Sequence, residues 1–411
     1  MHRSKLVLSF LATLAVALVP SQSFAATFST LVSFNGTNGE GPFSSLTLSG
    51  STLYGTTKFG GANGDGTVFS IPVTGGTPTN LLSFNYTNGA APCGSLTLSG
   101  STLYGMTTAG GGSGEGTIFS IPVTGGSPTL LGYFNQADGS NPFGGLALSG
   151  SSLYGMSAFY GALTPGGVPT SGDGTVFTIP VTGGTPTDLT SFNGMDGAHP
   201  YGSLTLIGST LYGMTSAGGV NGDGTIFSIP ATGGTPNILL SFDGTNGANP
   251  DGSLTLIGST FYGMTYSGGA NGDGTIFSIP LTGGTPTTLL SFNGTNGANP
   301  FGDLTLIGST LYGMTYAGGA NGDGTIFSVP VTGGTPTTLL SFNGTNGKNP
   351  SGDLTLVGST LYGTTYGGGA FGDGTVFALA TPEPSSVVLL GLGAIGLGAT
   401  SLRRKMRKQA A

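Results

Sequence analysis

Residues that could do chemistry are sparse in this chain, and the acidic ones recur at regular distances. Seven of them occupy equivalent Gly-Asp-Gly or Gly-Glu-Gly turns: Asp65, Glu115, Asp173, Asp223, Asp273, Asp323 and Asp373. In four of these turns an asparagine stands two residues earlier, so a calcium-binding loop is conceivable. Calcium takes about six to eight oxygen ligands, whereas each turn offers a single carboxylate. Aspartate in a tight glycine turn explains the pattern as well, and we predict no metal site.

Histidine and cysteine each occur once in the repetitive part of the chain. His199 replaces the asparagine of a recurring Asn-Pro pair, and no second histidine lies near it. Cys93 is the only cysteine, which excludes an intramolecular disulfide and a cysteine-based zinc site. A nucleophile needs a base and a group that orients the base, and the glycine-rich loops lack the Gly-Lys-Ser/Thr of a phosphate-binding loop. The sequence therefore predicts no catalytic residue and no cofactor.

Aromatic residues mark the loops that differ between copies of a repeat. One equivalent position holds Phe43, Cys93, Phe143, Tyr201, Asp251, Phe301 and Ser351. A second loop carries Tyr266, Tyr316 and Tyr366, and in the third copy it is lengthened within residues 158–171. Flat rings stack on sugar faces, and nearby Asn, Asp and Ser can bind hydroxyl groups. We therefore predict a glycan-binding surface with seven candidate residues: Phe159, Tyr160, Tyr201, Tyr266, Phe301, Tyr316 and Tyr366. The alternative is that these rings only cap the ends of strands.

An internal repeat positions these residues. The Tyr-Gly pair that begins at Tyr54 returns at Tyr104, Tyr154, Tyr212, Tyr262, Tyr312 and Tyr362. The spacing is 50 residues except between the third and fourth copies, where it is 58. Self-similarity at this period implies one supersecondary unit stacked seven times into a single body.

Each unit contains four short strand patterns and no helical period. In the sixth copy they are Leu304–Ile307, Thr310–Thr315, Thr325–Val329 and Thr337–Phe342, separated by glycine-rich turns. Four antiparallel strands in about fifty residues predict an all-β, seven-bladed β-propeller of four-stranded blades. A parallel β-helix is the competing arrangement, but its coils need only about half that length. The strand pattern also resembles the blades of quinoprotein-like and kelch-like propellers.

Two further patterns concern the core and the closure of the ring. Fourteen phenylalanines recur in the third and fourth strand patterns, and we expect them to pack between blades. The first pattern, Thr27–Asn35, reads as a fourth strand with no other strand before it, whereas the last copy ends after its third strand. We predict that this N-terminal strand completes the seventh blade, because closure removes exposed sheet edges.

The predicted propeller, residues 26–380, is strongly acidic. It contains two basic residues, Lys58 and Lys348, no arginine, and fifteen acidic residues, which gives a formal charge of −13. A surface of this charge repels polyanions, so we expect neither nucleic acid nor anionic lipid as a partner.

The N-terminal residues Met1–Ala25 have the three parts of a secretory signal peptide. Arg3 and Lys5 are basic, Leu6–Val19 is apolar, and Ser23-Phe24-Ala25 places small residues at the cleavage positions. This order predicts export, with the apolar part as a helix.

The C-terminal residues 381–411 contain a second three-part signal. Pro382-Glu383-Pro384 precedes the apolar run Val387–Leu402, and a basic cluster follows that begins with Arg403, Arg404 and Lys405. The 16-residue apolar run is just short of the roughly 17–25 residues that span a bilayer as a helix, and the basic cluster favours a cytoplasmic end. A plain membrane anchor would explain the run and the cluster but not the Pro-Glu-Pro.

The order of these three parts resembles the PEP-CTERM sorting signal of Gram-negative bacteria. The resemblance implies processing of the tail by an exosortase, transient residence in the inner membrane, and a final place on the cell surface or outside the cell. The repeat itself resembles the GloVer tandem-repeat family of exported bacterial proteins, which supplies no activity to transfer.

Together these patterns predict an exported, non-catalytic cell-surface or extracellular-matrix protein. One face of the propeller would interact with exopolysaccharide or other envelope partners. An extracellular polysaccharide lyase or hydrolase of the same fold, with acidic residues at the mouth of a central channel, is the alternative.

Overall fold

The computed structural model describes residues 27–160 and 172–381. Within these residues the chain forms seven antiparallel sheets and no helix. Thr27–Thr381 is one compact unit, and the predicted all-β, seven-bladed propeller is confirmed. Each sheet is one blade, and its four main strands are called A to D from the centre outward.

The strands of the first six blades follow the chain. The first blade contains β2 (Glu40–Pro42), β3 (Thr47–Ser49), β4 (Thr52–Phe59), β5 (Thr67–Pro72) and β6 (Thr79–Ser83). The second contains β7 (Thr97–Ser99), β8 (Thr102–Thr107), β9 (Thr117–Pro122) and β10 (Thr129–Tyr133). The third contains β11 (Ala147–Ser149), β12 (Ser152–Ser157), β13 (Thr175–Pro180) and β14 (Thr187–Ser191).

The next three blades repeat the pattern. The fourth contains β15 (Thr205–Ile207), β16 (Thr210–Thr215), β17 (Thr225–Pro230) and β18 (Asn237–Ser241). The fifth contains β19 (Thr255–Ile257), β20 (Thr260–Thr265), β21 (Thr275–Pro280) and β22 (Thr287–Ser291). The sixth contains β23 (Ala298–Pro300), β24 (Thr305–Ile307), β25 (Thr310–Ala317), β26 (Thr325–Pro330) and β27 (Thr337–Ser341).

The seventh blade joins the two ends of the described chain. It contains β28 (Lys348–Val357), β29 (Thr360–Gly367) and β30 (Thr375–Ala380), and β1 (Thr27–Ser33) is its strand D. β1 pairs antiparallel with β30, from Thr27 opposite Ala380 to Ser33 opposite Thr375. The predicted closure by the N-terminal strand is therefore present in the structure.

One pairing was not evident from the sequence. In the sixth blade β23 runs beside the end of β25, with Ala298 opposite Ala317 and Pro300 opposite Thr315. The first and seventh blades pair in the same way through β2 and the beginning of β28. The sequence predicted a plain loop here, since Asn-Pro and glycine are turn formers. In these three blades the pairing holds the loop against strand B.

The core lies between the blades, as predicted. All fourteen repeated phenylalanines are buried: thirteen are 0% exposed, and Phe192 is 1% exposed.

 The strand D ring of one blade packs edge-on against the strand C ring of the next, as in Phe134 and Phe177, whose centroids lie 5.0 Å apart. Burying a ring of this size contributes about 1.5–3 kcal/mol, so these seams supply much of the stability.

Several predictions from the sequence fall outside the described residues. They are the signal peptide Met1–Ala25, the tail from Pro382 onward with Glu383, Pro384, Arg403, Arg404 and Lys405, and the two flanking helices. Most of the third copy's lengthened loop, residues 161–171, also falls outside them. Within the described part of the chain, no helix is long and apolar enough to cross a membrane.

Candidate functional site

The loops that vary between copies share one face of the propeller. Each D–A loop, which links strand D to the next strand A, lies beside the B–C loop of the blade it enters. Bridges between the two loops join Ala90 to Ala109, Ser140 to Phe159, and Ala198 to Ala217. We call this side of the molecule the loop face.

A central cavity of about 220 Å³ opens among the D–A loops. Six side chains at the predicted variable position line it: Phe43, Cys93, Phe143, Tyr201, Asp251 and Phe301. We call these six residues the mouth ring. The seventh equivalent residue, Ser351, is buried and does not line the cavity. Four of the six lining side chains are aromatic, so the mouth is apolar except at Cys93 and Asp251.

Two aromatic groups form the walls of the mouth. Because Ser351 is small, Phe43 and Phe301 meet across its position with ring centroids 5.1 Å apart. The Tyr366 ring packs on the Phe43 ring, with the two centroids 5.9 Å apart. On the other side, the Phe143 and Tyr201 rings lie 5.1 Å apart. Asp251 belongs to the blade between Tyr201 and Phe301, so an aromatic residue stands on each side of it.

The seven predicted binding residues are only partly brought together. The ring centroids of Phe159 and Tyr201 lie 6.4 Å apart. The rings of Phe301 and Tyr366 both contact the ring of Phe43. Tyr266, Tyr316 and Tyr366 are half-buried on successive blades. Burial raises the pKa of the Tyr316 phenol, and neighbouring Tyr366 raises it further. Tyr160 has a φ of 59° and stands at the edge of the described residues. No ring contact places it with the others in the part of the chain that the structure describes.

Asp251 is the least compensated group of the mouth ring. Its carboxylate accepts no hydrogen bond from any described residue, and no lysine or arginine lines the cavity within the described ranges. The residue keeps some contact with the cavity but is otherwise enclosed by protein. This desolvation raises the pKa of Asp251 from 3.8 to about 7.

A second ring lies two residues further along each loop, and sequence reasoning missed it. We call it the inner ring, and its members are Ser45, Ser95, Gly145, Ser203, Ser253, Asp303 and Asp353. The backbone N–H of one blade donates to the side-chain oxygen of the next, for example Ser203 N to Ser253 Oγ at 2.8 Å. The Asp353 N–H donates to Ser45 Oγ at 2.8 Å, which closes the ring. The bond is missing only where Gly145 has no side chain.

Two aspartates of the inner ring form a buried pair. Asp303 Oδ1 accepts from the Ser253 N–H, and Asp353 Oδ1 accepts from the Asp303 N–H at 2.6 Å. Burial, and after it the adjacent Asp353 charge, raise the pKa of Asp303 to about 8. Burial also raises the pKa of Asp353. The folded protein therefore keeps a proton on Asp303 at a pH at which a free aspartate is ionised.

The Gly-Asp-Gly turns are explained by backbone structure. The carbonyl of the turn residue accepts the N–H of the following D–A loop, as in Asn349 N to Asp323 O at 2.8 Å. The preceding asparagine is also occupied, since Asn321 Nδ2 donates to Phe342 O at 2.8 Å. In residues 27–160 and 172–381 no three His, Cys, Asp or Glu side chains are grouped to hold a metal ion.

His199 and Cys93 also have structural surroundings. The left-handed Asn349 donates from Nδ2 to Tyr316 O at 3.0 Å, and His199, at φ 55°, makes the same contact from Nδ1 to Ala158 O at 3.0 Å. Because a carbonyl oxygen only accepts, the His199 imidazole carries a proton on Nδ1. The imidazole packs on the Phe159 ring, with the two centroids 4.9 Å apart. Burial raises the pKa of the Cys93 thiol to about 11. A thiol of that pKa is protonated at neutral pH and is a weak nucleophile.

A second cleft lies at the outer rim between the second and third blades. Leu130, Tyr133 and Asp138 line it, and neighbouring Asp188 has a buried Oδ1 with no hydrogen-bond partner among the described residues. Burial, and after it the Asp138 charge, raise the pKa of Asp188 to about 7.

The comparisons with known proteins define the class of the chain. The sequence profile described as the Gloeobacter/Verrucomicrobia repeat matches residues 18–158, 156–309 and 262–396. These matches cover most of the chain, and the protein belongs to this repeat family. The predicted resemblance of the repeat to a known bacterial tandem-repeat family is confirmed. No curated protein sequence matches the chain.

Solved structures share the propeller fold at low sequence identity. A puromycin-hydrolysing peptidase of Mycobacterium tuberculosis is 13% identical with a TM-score of 0.51, over 82% of this chain and 52% of the peptidase. A second puromycin hydrolase is 9% identical with a TM-score of 0.51, over 83% and 53%. The quinohemoprotein alcohol dehydrogenase of Comamonas testosteroni is 12% identical with a TM-score of 0.51, over 86% and 76%. The chain spans about half the length of the two hydrolases, and these likenesses show the fold alone.

Proposed function

We propose that this chain is an exported, non-catalytic protein of the cell surface or extracellular matrix, and that its loop face binds polysaccharide. The observation that carries the proposal is the group of aromatic side chains around the cavity. We call Phe43, Phe143, Phe159, Tyr201, Phe301 and Tyr366 the aromatic crown.

The crown has the chemistry that sugar rings require. Aromatic faces stack on the C–H groups of a pyranose, and a carboxylate such as Asp251 accepts hydrogen bonds from hydroxyl groups. The rings are held by contacts to one another and are half-buried, so little side-chain entropy is lost on binding. Ligand sites of this kind combine a mostly apolar lining with a few polar groups.

The proposed location depends on the two ends of the sequence. Export follows from the signal-peptide pattern of Met1–Ala25. Processing by an exosortase-type enzyme follows from Pro382-Glu383-Pro384 and the basic cluster at Arg403, Arg404 and Lys405. Cell fractionation of the wild type beside a Pro382→Ala/Glu383→Ala/Pro384→Ala variant tests this part.

A polysaccharide lyase or hydrolase is the second candidate, because Asp251, Asp303 and Asp353 all line the cavity. Two of these acids have a structural role, however. Asp303 Oδ1 and Asp353 Oδ1 accept backbone N–H groups, as the Ser203 and Ser253 hydroxyls do in other blades. A general acid and base on opposite sides of a glycosidic bond would need free carboxyl groups. The inner-ring bonds therefore favour binding over catalysis.

A polysaccharide pull-down tests the proposal. The full-length chain is mixed with insoluble envelope polysaccharide, beside a Phe159→Ala/Tyr201→Ala variant. The control is Tyr133→Ser, which removes an exposed ring from an outer strand where other copies carry serine. We expect the crown variant to lose about tenfold or more in affinity, since each stacked ring is worth about 1 kcal/mol or more. Equal binding by both variants would refute a role for the crown, and release of reducing or unsaturated sugars would establish the enzyme instead.

A further inference from the structure

Asp251 is an unexplained charge in an otherwise apolar mouth. The equivalent residues are Phe43, Phe143, Tyr201 and Phe301 in four other copies. The Asp251 carboxylate is partly exposed to the cavity and accepts no hydrogen bond from the described residues, so it is available to a ligand. Neither the fold nor the inner ring uses this side chain.

The surroundings of Asp251 favour a positively charged ligand. No basic side chain lines the cavity within the described residues. Lys58, whose Nζ lies 5.9 Å from the Phe43 ring centroid, is near Cys93. In the order of the blades, Cys93 and the nearby Lys58 are three blades away from Asp251, on the other side of the mouth. An anionic sugar would be repelled by the Asp251 carboxylate and would find no basic side chain among the described residues that line the cavity.

We propose that Asp251 binds the ammonium group of an unacetylated amino sugar, so that the polysaccharide recognised by the crown carries free amino groups. This inference rests on the proposed function and names the class of its ligand. The ammonium would lie between Tyr201 and Phe301, whose blades flank that of Asp251.

Aromatic neighbours strengthen the case for an ammonium over a hydroxyl group. A cation over the face of a tyrosine or phenylalanine ring within about 6 Å is attracted by the ring quadrupole, and more strongly when desolvated. Burial raises the pKa of the Tyr201 phenol, and the Asp251 charge adds to it, so the two groups lie within electrostatic range. A bound ammonium would also stabilise the ionised Asp251 carboxyl, whose pKa burial has raised to about 7. An N-acetyl group carries no positive charge, so it would neither be attracted in this way by the aromatic rings nor stabilise the ionised carboxyl.

Calorimetry with two matched oligosaccharides tests the inference. The full-length chain is titrated at about pH 7.5 with a hexamer of glucosamine and with a hexamer of N-acetylglucosamine. Asp251→Asn removes the charge at nearly constant shape, and Asp251→Ser supplies the residue found at the equivalent Ser351. The control is Asp196→Asn, which removes a carboxylate from an exposed loop where other copies carry asparagine.

We expect the wild type and Asp196→Asn to bind the glucosamine hexamer at least tenfold more tightly than the acetylated hexamer. Both Asp251 variants should lose that preference, since a tenfold difference in affinity is about 1.4 kcal/mol, close to what a hydrogen bond to a charged group contributes. Equal binding of both hexamers by the wild type would overturn the inference and leave polysaccharide binding intact. Binding of neither hexamer overturns it as well, and failure of the pull-down would then overturn the proposed function separately.

Discussion

At the scale of single residues, the Tyr-Gly pair shows how packing fixes the repeat. Gly313 lies in strand B beside the buried ring of Phe327, and a methyl group on Gly313 would approach Phe327 Cζ to 2.7 Å. The backbone of this glycine is not left-handed, so the constraint is space alone. The same contact recurs at Gly55, Gly105, Gly155, Gly213, Gly263 and Gly363.

Gly313→Ala should therefore destabilise the propeller by roughly 1–3 kcal/mol, because the ring must move in a core that has no room. Gly112→Ala is the matched control, since its added methyl group would meet nothing nearer than 3.7 Å. Urea unfolding of the two variants beside the wild type measures the effect. Equal stability of the two variants would contradict the packing argument.

Residue patterns in the sequence predicted the core but not the whole site. The phenylalanines recur at fixed offsets, and periodicity alone assigned them to the interior. Asp251 was visible only as one variant of a variable loop position, because a lone carboxylate has no chemical signal without its neighbours. Its importance depends on Tyr201 and Phe301, which stand 50 residues before and after it. Only the closed ring makes them neighbours.

At the scale of elements, two sets of hydrogen bonds join the A strands around the axis. The inner ring is one set. In the other, a strand A threonine donates to a leucine carbonyl of the next blade, as in Thr305 Oγ1 to Leu354 O at 2.6 Å. The third blade lacks one hydrogen bond of each set. Gly145 has no side chain to accept the inner-ring bond, and Ala147 has no hydroxyl to donate to the next blade. We infer that the seams of the third blade are the weakest of the ring.

Ala147→Thr should strengthen this seam. Its hydroxyl would donate to Leu204 O, as Thr97 donates to Leu146 O and Thr205 to Leu254 O. The expected gain is about 1 kcal/mol, the net worth of a typical intramolecular hydrogen bond. Differential scanning calorimetry should show a higher Tm, and Ala147→Val, which adds similar volume without the hydroxyl, is the control. A Tm for the threonine variant no higher than that of the valine variant would refute the hydrogen bond.

The Asp303–Asp353 pair predicts a pH dependence of stability. Burial and the Asp353 charge raise the folded pKa of Asp303 from 3.8 to about 8. The folded state then holds a proton that the unfolded state releases, so the stabilisation is complete below about pH 4 and is lost as the pH rises toward 8. Asp303→Ser keeps an acceptor for the Ser253 N–H and should flatten this decline, whereas Asp196→Asn should not.

Urea unfolding between pH 4 and pH 8 measures this slope. The pKa values of Asp188 and Asp251 are also raised to about 7, chiefly by burial. These two groups should therefore leave a smaller slope of stability against pH in the serine variant. An unchanged slope in Asp303→Ser would show that the pair does not hold a proton. The sequence could not predict this pair, because Asp303 and Asp353 stand in what reads as an ordinary turn before strand A. The pair exists only because neighbouring blades bring residues 50 positions apart into contact.

At the scale of the whole molecule, the ring is closed by contacts between the two ends of the described chain. β1 supplies strand D of the seventh blade, and its Val32 and neighbouring Phe34 join a buried cluster with Phe69 and Val376. Further bonds span the closure, such as Thr355 Oγ1 to Leu46 O at 2.6 Å. The sequence predicted this closure because a missing strand at one end and an unpaired strand at the other are complementary.

Removal of Thr27–Ser33 should therefore open the ring at a defined place. β30 would become an exposed edge, and the lost burial of Val32 and its neighbours should cost on the order of 5 kcal/mol. We expect a lower Tm and concentration-dependent association, since an unpaired strand edge recruits other chains. A synthetic peptide of residues 27–35, added in excess, should restore both the Tm and the monomer, because a strand that binds only the folded state stabilises it by mass action. A peptide of the same composition in scrambled order is the control. Wild-type stability in the deletion variant would show that β1 is dispensable, and equal rescue by the scrambled peptide would show that its register against β30 is not what closes the ring.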